Sequence, residues 1–484
     1  MKKRINLFSL ITVIMMSVMM LVQCAVNPVT GKKEFMLLSE SAEIGLGKEV
    51  DRGIRQEYGI YNDPGLNAYV VAVGQKLAPH THRSHLQYHF AILDTPVQNA
   101  FAAPGGYIYI TRGLLAMMNN EAELAVVLGH ELGHVNARHS ARAFSRNILL
   151  TIGLAVASEL SEDIKKVAPF VAVASQLLFL KFSRTDEYQA DSLGVEYSRK
   201  GRYAPGAMVS FFTSIQRLST MKGGGHLPNF LSTHPLTPRR IERVKEMLLP
   251  ADANLTVSRN PYLRRINGLI YGTDPRQGYV EGGHFFHPGL RFYFRIPANW
   301  QVQNTPMRVT MAPKGGQAAI IFSARGSSQN LDNYAQEALK EINNLKVVSN
   351  RFTSVNAFNA YETVFNVPGN SSDQADNTIA GWLTCIRKGG TIFSFLSIAS
   401  QANTSTYRNA INQTINSFRN LRSARHLKRQ PTKVHLKSVQ QKQTLKTFLL
   451  KHRIPQNSWQ EIALINLLQI DDVLQPNQLV KVIY

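Results

Sequence analysis

The sequence feature that most constrains the fold is the pentapeptide HELGH at residues 130–134, because its two histidines share one face only if the segment is helical. Asn120, with Glu123 three residues later, is typical of a helix start, and we expect the helix to continue to about Ala143. On such a helix His130 and His134 can bind one Zn²⁺ ion. Glu131, one step round, would then act as the general base toward an attacking water.

The pentapeptide alone does not establish a metal site, since the same pattern also arises by chance in helices with buried histidines. A third ligand is therefore needed as evidence. His139 lies nine residues after His130, about 180° away on a continuous helix, so we do not expect it to bind. Glu187 and Asp191 are four residues apart, so both carboxylates lie on one helix face. We expect Glu187 to bind zinc and Asp191 to accept the N–H of a ligating histidine, the alternative being an ordinary charged helix face.

The N-terminus has the pattern of a bacterial lipoprotein signal. Three basic residues at positions 2–4 precede a mainly apolar, uncharged run that ends at residue 22, and Cys24 follows closely. We predict that residues 1–23 are a signal peptide and that the Cys24 thiol carries a lipid, although Gln23 replaces the usual small residue and an uncleaved anchor is the alternative. Ala25 after the cysteine resembles lipoproteins that are sent to the outer membrane.

Together these motifs resemble a known family. Residues 24–250 are similar to zinc metalloproteases of the HtpX and CAAX-prenyl-protease type, in particular to the periplasmic lipoprotein branch of the BepA and LoiP type. The resemblance rests on the HELGH pentapeptide with Glu187-x-x-x-Asp191 and on four further segments: CAVNPVTG at 24–31, NAFAAPGG at 99–106, TRGLL at 111–115, and STHP at 232–235 with Arg240. It implies a mainly helical gluzincin metallopeptidase domain over residues 24–255.

The resemblance also implies roles for residues outside the pentapeptide. The stretch 99–111 would be an edge strand that pairs with an extended substrate, with residues 104–106 as its turn. His234 would either steady the oxyanion or occupy the open zinc position in a closed state. Arg240 would stabilise the same charge or hold a carboxylate, and for both residues a helix cap flanked by proline is the alternative. The residues expected to face the substrate are Asn99, Ala100, Phe101 and Ala102.

The rest of the chain predicts an α+β multidomain protein. Alternating apolar residues indicate strands and two helices over 256–421, a region that weakly resembles the PsbP or DcrB type of domain. A basic linker follows at 422–438. Residues 439–484 resemble a degenerate LysM module, in which Lys442-Gln443 replaces the usual Gly-Asp and Asn477 a late glycine. With Cys24 lipidated, Cys385 has no partner and is expected to be a buried thiol.

Two further features allow more than one interpretation. His80, His82, His85 and His89 form either a second metal site or a polar loop, and their irregular spacing favours the loop. Apolar runs at 148–158 and 167–180 are too short to span a bilayer. They indicate buried or surface-docked helices, with a hairpin that dips into the membrane as the alternative.

We therefore predict a lipid-anchored endopeptidase of the bacterial envelope, with one zinc per chain, that degrades misfolded or misassembled envelope proteins. The alternative is an envelope-binding or chaperone-like lipoprotein. Its basic C-terminus, with ten Lys or Arg and no acidic residue from 422 to 453, would hold peptidoglycan or anionic lipid. The net charge of +22 would also suit nucleic acid, but the predicted export excludes that partner. The intact base Glu131 favours the enzyme.

Overall fold

The chain forms two compact units, each described here by itself. The computed structural model describes residues 24–36, 38–145, 181–221, 229–340, 342–368 and 378–484. One unit combines Met1–Tyr271 with Lys433–Tyr484, and the other is Gly272–Thr432. The predicted signal peptide, both apolar runs between 148 and 180, and the glycines at 223–225 lie outside the described residues. No helix within the described ranges is long and apolar enough to cross a membrane.

The first unit is mainly helical and contains one small sheet. In that sheet β3 runs parallel to β5, and β4 pairs antiparallel with β5, so the order β3-β5-β4 leaves β4 at an edge. The predicted strand at 99–111 is thus two strands joined by the turn at Pro104–Gly106. The elements up to residue 271 are β1 (Cys24–Val26), β2 (Lys33–Phe35), α1 (Glu40–Tyr58), α2 (Pro64–Leu77), β3 (His89–Leu93), β4 (Ala100–Ala103), β5 (Tyr107–Thr111), α3 (Arg112–Met117), α4 (Glu121–Asn136), α5 (Arg184–Lys200), α6 (Ala207–Met221), α7 (Asn229–Thr233), α8 (Pro238–Met247) and α9 (Arg259–Arg265).

Small residues bring α4 and α5 into close contact. A Cβ at Gly133 would lie 3.1 Å from the Ala190 Cα, and one at Gly194 would lie 3.0 Å from the His130 backbone nitrogen. Because neither glycine has a side chain, the two helix backbones can approach, and side chains on α5 reach those on α4. The seam therefore positions the acidic residues of α5 against the histidines of α4.

Helix α4 ends earlier than its sequence predicts. It starts as expected, with the Asn120 side chain accepting a hydrogen bond from the Glu123 backbone, but it stops at Asn136 instead of continuing to about Ala143. Arg138 adopts a left-handed conformation (φ 55°), and residues 139–145 are helical again. A residue that is distant in sequence stabilises the break: the buried Glu43 carboxylate accepts a hydrogen bond from Arg138 Nε at 2.8 Å.

Glu43 is the centre of a buried ion network. Arg83 donates to both Glu43 oxygens, at 3.0 and 3.1 Å, and to the Val135 carbonyl at 3.0 Å. The Arg83 backbone N–H donates to the Asn136 side chain at 2.6 Å. These bonds satisfy the last turn of α4 without a further helical residue, which is why the chain can turn at this point.

The second unit is an α+β structure, in agreement with the predicted strands and helices. Its larger sheet has the order β12-β13-β14-β15-β11-β10-β9, and its smaller sheet β16-β8-β7-β6. Cys385 lies on β14; it is free and fully buried, and burial raises the pKa of its thiol to about 12. The elements are β6 (Tyr279–Glu281), β7 (His284–His287), β8 (Phe292–Arg295), β9 (Trp300–Asn304), β10 (Arg308–Pro313), β11 (Ala318–Gly326), α10 (Leu331–Leu339), β12 (Lys346–Val355), β13 (Phe358–Val367), β14 (Ile379–Lys388), β15 (Thr391–Ser400), α11 (Thr404–Asn416), β16 (Arg419–Asn420) and α12 (Ala424–Leu427).

The chain then returns to the first unit at Lys433, whereas the sequence predicts domain boundaries near 256 and 439. Helix α9 buries Tyr262 and Leu263 in the first unit's core, and an isolated bridge joins Ile270 to Lys433. The final strand β20 pairs with β17, which occupies part of the predicted linker. The remaining elements are β17 (Val434–Ser438), β18 (Gln443–Thr444), α13 (Leu445–Lys451), α14 (Trp459–Ile465), β19 (Val473–Leu474) and β20 (Leu479–Ile483).

Candidate metal centre

Three segments of the first unit bring four potential metal ligands together. His130 and His134 project from α4, Glu187 comes from the first turn of α5, and His234 follows directly after α7. One ligand atom from each of the four lies within 4.8 Å of the others, and all four residues are buried. The structure thus assembles three of the predicted ligands and adds His234 as a fourth member.

The distances within this group fit a tetrahedral metal. Ligand atoms at 2.0–2.1 Å from a tetrahedral Zn²⁺ are about 3.3 Å apart. His130 Nε2 lies 3.0 Å from His134 Nε2 and 3.3 Å from His234 Nδ1. Glu187 Oε1 lies 3.0 Å from His234 Nδ1 and 3.6 Å from His134 Nε2. Three nitrogens and one carboxylate are also a donor set that zinc prefers.

Glu131 lies beside the four ligand residues without being one of them. Its side chain is fully buried, and its two carboxylate oxygens have no hydrogen-bond partner among the described residues. Oε1 lies 3.6 Å from His234 Nε2. Burial raises the pKa of Glu131, although the neighbouring charges of His234 and His130 oppose the shift. A buried carboxylate that makes no structural hydrogen bond fits a base held ready for a proton.

Asp191 and Arg240 support the ligands. Asp191 Oδ1 lies 3.0 Å from His130 Nδ1, where the sequence predicts an acceptor for a ligating histidine. Arg240 grips Asp191 with two parallel hydrogen bonds of 2.7 and 2.6 Å and contacts Glu187 Oε2 at 2.8 Å. Its NH1 group also donates to the His234 and Pro235 carbonyls. Of the two roles open to Arg240, these contacts favour the one that holds a carboxylate.

The electrostatics agree with this arrangement. Burial disfavours the charged form of Glu187, but His234 and Arg240 outweigh it and lower the pKa of the carboxyl group. The pKa of Asp191 is lowered against burial by Arg240. Burial, with the neighbouring His130, holds the pKa of His134 well below its usual value. The neutral state of His134 and the ionised state of Glu187 are those that bind a metal.

His139 does not lie where its position in the sequence predicts. Because α4 breaks at residues 137 and 138, His139 is not on the opposite face of a continuous helix. It is buried, and its Nδ1 lies 2.9 Å from His134 Nδ1. It does not belong to the four-ligand group, as expected. No local sequence signal marks this contact, because the break depends on Glu43, 95 residues away from Arg138.

Two aromatic rings next to the ligands were also not predicted. Phe182 stacks on His134 with ring centroids 4.0 Å apart, and Phe230 stacks on His234 at 4.8 Å. These rings form apolar walls that restrict the orientation of two imidazoles. Their positions near Glu187 and His234 in sequence were the only available signal.

The predicted substrate strand lies next to the ligand segments. The Gln98 carbonyl accepts a hydrogen bond from the Phe230 backbone N–H at 3.0 Å, and the Asn99 side chain accepts one from Thr233 at 3.3 Å. Ser140 donates to the Ala102 carbonyl at 3.0 Å. Asn99 and strand β4, which contains Ala100, Phe101 and Ala102, are buried. The edge strand and the ligand cluster thus belong to one hydrogen-bonded neighbourhood.

The four histidines between 80 and 89 do not come together. His82 Nδ1 lies 2.7 Å from the Tyr197 hydroxyl, and His85 Nε2 lies 2.9 Å from Glu40 Oε1. His89 stacks on Tyr107. These separate partners are those of a polar loop, the interpretation that their spacing favours.

Comparisons with known proteins agree with the site. Residues 64–248 match the model of peptidase family M48. The chain is 30% identical over 222 residues to the beta-barrel assembly-enhancing protease of Escherichia coli O157:H7, which covers 44% of this chain and 45% of that protein. It is 29% identical over 238 residues to the mitochondrial metalloendopeptidase OMA1 of Schizosaccharomyces pombe, which covers 48% of this chain and 68% of the relative. The chain thus spans about half the length of the first of these relatives.

Similarities to solved structures are weaker. The solution structure of cyanobacterial PsbP from Synechocystis sp. PCC 6803 is 9% identical with a TM-score of 0.25, and it covers 30% of this chain and 98% of that protein. The family assignment rests on the sequence match and on the HELGH segment of α4 and Glu187 of α5, which both lie within the matched residues. The resemblance seen in the sequence is confirmed: residues 64–248 are a domain of peptidase family M48.

Proposed function

We propose that the protein is a zinc-dependent endopeptidase of the bacterial cell envelope. The observation that carries this proposal is the buried set of His130, His134, Glu187 and His234 with the unpaired carboxylate of Glu131 beside it. A binding or chaperone-like protein needs no buried base at such a place, so the envelope-binding alternative is not favoured. Two histidines and a glutamate with an adjacent glutamate are the parts of a hydrolytic zinc site.

In this proposal each side chain has one task. A zinc ion bound there would supply Lewis-acid activation of the water and of the peptide carbonyl. His130 and His134 bind through Nε2, and Asp191 fixes the ring of His130. Glu131 takes a proton from the attacking water and delivers it to the leaving amine. Arg240 acts through Asp191 and Glu187, so it is a positioning residue.

Asn99, Ala100, Phe101 and Ala102 would hold the substrate in an extended conformation by main-chain pairing. Strand β4 is at the edge of its sheet, and Asn99 just before it accepts a hydrogen bond from Thr233 of α7, which supports this role. An extended binding mode selects unfolded chain, because folded domains rarely present a free strand. We therefore propose misfolded or misassembled envelope proteins as the substrates.

His234 has two candidate roles, and its geometry favours one. Its Nδ1 lies 3.3 Å from His130 Nε2 and 3.0 Å from Glu187 Oε1, so four protein ligands would complete a tetrahedron and leave no position for water. We propose that this conformation is a closed state in which His234 blocks the metal. His234→Ala should then raise cleavage of an unfolded substrate. A fall in cleavage at unchanged zinc content would instead make His234 an oxyanion residue.

We propose that Cys24 carries the lipid anchor and that Ala25 directs the protein to the outer membrane, as the sequence pattern indicates. The segment from Lys433 to Tyr484 has two helices, α13 and α14, that follow strands β17 and β18 and precede strands β19 and β20. This layout resembles that of a LysM-like module, and we propose peptidoglycan as its ligand. Cosedimentation of the mature chain with purified cell-wall sacculi tests this binding. A chain that stays in the supernatant at low and moderate salt would contradict it.

The central experiment measures zinc content and casein cleavage of the purified chain from residue 24. Glu131→Gln should retain zinc, because Glu131 is not a ligand, and lose cleavage by several orders of magnitude. Glu187→Ala should lose most of the zinc. Glu49→Gln, an exposed glutamate on α1, is the matched control and should leave both properties unchanged. Full cleavage by Glu131→Gln would refute the mechanism.

A further inference from the structure

We infer that His139 is a positioning residue for the metal site, in which its Nδ1 accepts a hydrogen bond from His134 and so directs His134 Nε2 toward the metal. The inference rests on the proposed zinc site. It concerns a residue outside the pentapeptide, outside the four ligands, and outside the carboxylate pair on α5. Two contacts of His139 and the course of the backbone beside it support the inference.

The first contact fixes which nitrogen bears the proton. His134 Nδ1 and His139 Nδ1 face each other at 2.9 Å, so one of them donates and the other accepts. His134 Nε2 points at the ligand group, 3.0 Å from His130 Nε2, and must keep its lone pair to bind a cation. The proton of His134 therefore sits on Nδ1, and His139 Nδ1 is the acceptor.

The second contact completes the chain in the same direction. With Nδ1 of His139 accepting, its proton sits on Nε2, which faces Gln189 Oε1 at 3.0 Å. Asp186 Oδ1 lies 3.5 Å from the same nitrogen, so two oxygens favour a proton there. In the resulting chain of hydrogen bonds, His134 donates to His139 and His139 donates to Gln189.

The third observation is that the fold is built to place His139 there. An unbroken α4 would carry His139 to the far side of the helix, and the left-handed Arg138 turns it back. Glu43 and the Leu38 carbonyl hold the Arg138 guanidinium, each at 2.8 Å. Phe182 covers both rings, with centroids 4.0 Å from His134 and 6.0 Å from His139. Residues from α1, from the break and from the segment before α5 all converge on this contact.

The two histidine ligands of α4 then have different supports. The carboxylate of Asp191 faces Nδ1 of His130. The neutral imidazole of His139 faces Nδ1 of His134 and itself donates a hydrogen bond to the Gln189 side-chain amide. An acceptor of either kind holds the ring and its tautomer, and its loss weakens metal binding about 10- to 100-fold.

The test compares three substitutions of His139 that differ in where they place polar atoms. His139→Asn places an amide oxygen where Nδ1 was, His139→Gln places polar atoms near Nε2 only, and His139→Leu places no polar atom. Zinc affinity of the full mature chain is measured by competition with a chelator, and unfolding of the metal-free chain is followed in parallel. His85→Leu, an exposed histidine of the polar loop, is the control and should bind zinc as the unsubstituted chain does.

We expect His139→Leu and His139→Gln to weaken zinc binding about 10- to 100-fold and His139→Asn to stay within a few-fold of the unsubstituted chain. A wild-type affinity for His139→Leu would overturn the inference. So would an equal loss in all three variants, since that pattern follows loss of packing. If His139→Leu does not fold, Gln189→Leu takes its place, with a severalfold loss expected and an unchanged affinity as refutation. If the unsubstituted chain binds no zinc, the proposed function itself fails, which is a separate result.

Discussion

Lys481 offers the sharpest test of how the first unit is held together. Its side chain is completely buried, and its amine donates to the Met118 carbonyl at 2.8 Å and the Ala116 carbonyl at 3.0 Å. These carbonyls lie at the C-terminal end of α3, where the helix dipole favours a cation. The buried carboxylate of Glu123, near the start of α4, adds a further attraction. One ammonium from β20 thus closes the end of α3, the helix that precedes α4.

Lys481→Met keeps most of the apolar stem and removes the donor. Two buried carbonyls then lose their partner, at about 1–3 kcal/mol each. Glu123 loses its cationic neighbour, which adds to the loss, while the relieved burial of an ammonium offsets part of it. We expect the free energy of local opening to fall by about 2–5 kcal/mol. The free energy of unfolding of a whole domain is about 5–15 kcal/mol, so this loss is a large share of it.

The assay is hydrogen exchange at pH 6 followed by mass spectrometry, since a two-unit chain has no single unfolding free energy. Peptides that contain α3 or β20 should exchange at least about 30-fold faster in Lys481→Met, because 1.4 kcal/mol corresponds to a factor of ten. Peptides from the second unit should not change. Lys446→Met on α13, an exposed lysine, is the control. Less than a few-fold acceleration in α3 and β20 would refute the reasoning.

Three further predictions concern the same unit. Arg240→Lys keeps the charge but loses the two-point grip on Asp191, so chelator competition should show zinc binding weakened about tenfold. Gly194→Ala adds a Cβ that would lie 3.0 Å from the His130 nitrogen, so hydrogen exchange in peptides of α4 and α5 should show a loss of about 1–3 kcal/mol in the free energy of opening, and unchanged exchange would contradict the close contact of these helices. Burial lowers the pKa of Lys481 to about 7, whereas the unfolded amine titrates at its ordinary value of 10.5, so unfolding takes up a proton between these values and this group's contribution to stability rises with pH. The urea concentration at the midpoint of unfolding should therefore rise from pH 7 to pH 9 in the unsubstituted chain, and Lys481→Met should lack this rise.

The sequence predicts those features that local chemistry determines. Asn120 caps α4 because its own side chain reaches a backbone N–H three residues away. His130, His134, Glu187 and Asp191 could be assigned because helical spacing alone puts each pair on one face. The candidate site was therefore largely predictable once the family resemblance added His234.

Features that depend on distant partners could not be predicted. The break at Arg138 costs local energy and persists because Glu43, far away in sequence, binds its guanidinium. His139 therefore contacts His134 although helical geometry places it on the opposite side. The return of the chain to the first unit could not be predicted for a similar reason, since nothing near residue 433 indicates that the chain pairs there with Ile270.

The return of the chain to its first unit has a consequence for biosynthesis. Lys481 lies 365 residues after Ala116, whose carbonyl it binds, and the whole second unit is made between them. A chain that emerges N-terminus first exposes helix α4 long before β20 arrives to close α3. Contacts of such long sequence separation also form slowly. The first unit therefore reaches its final packing only after the whole second unit has emerged.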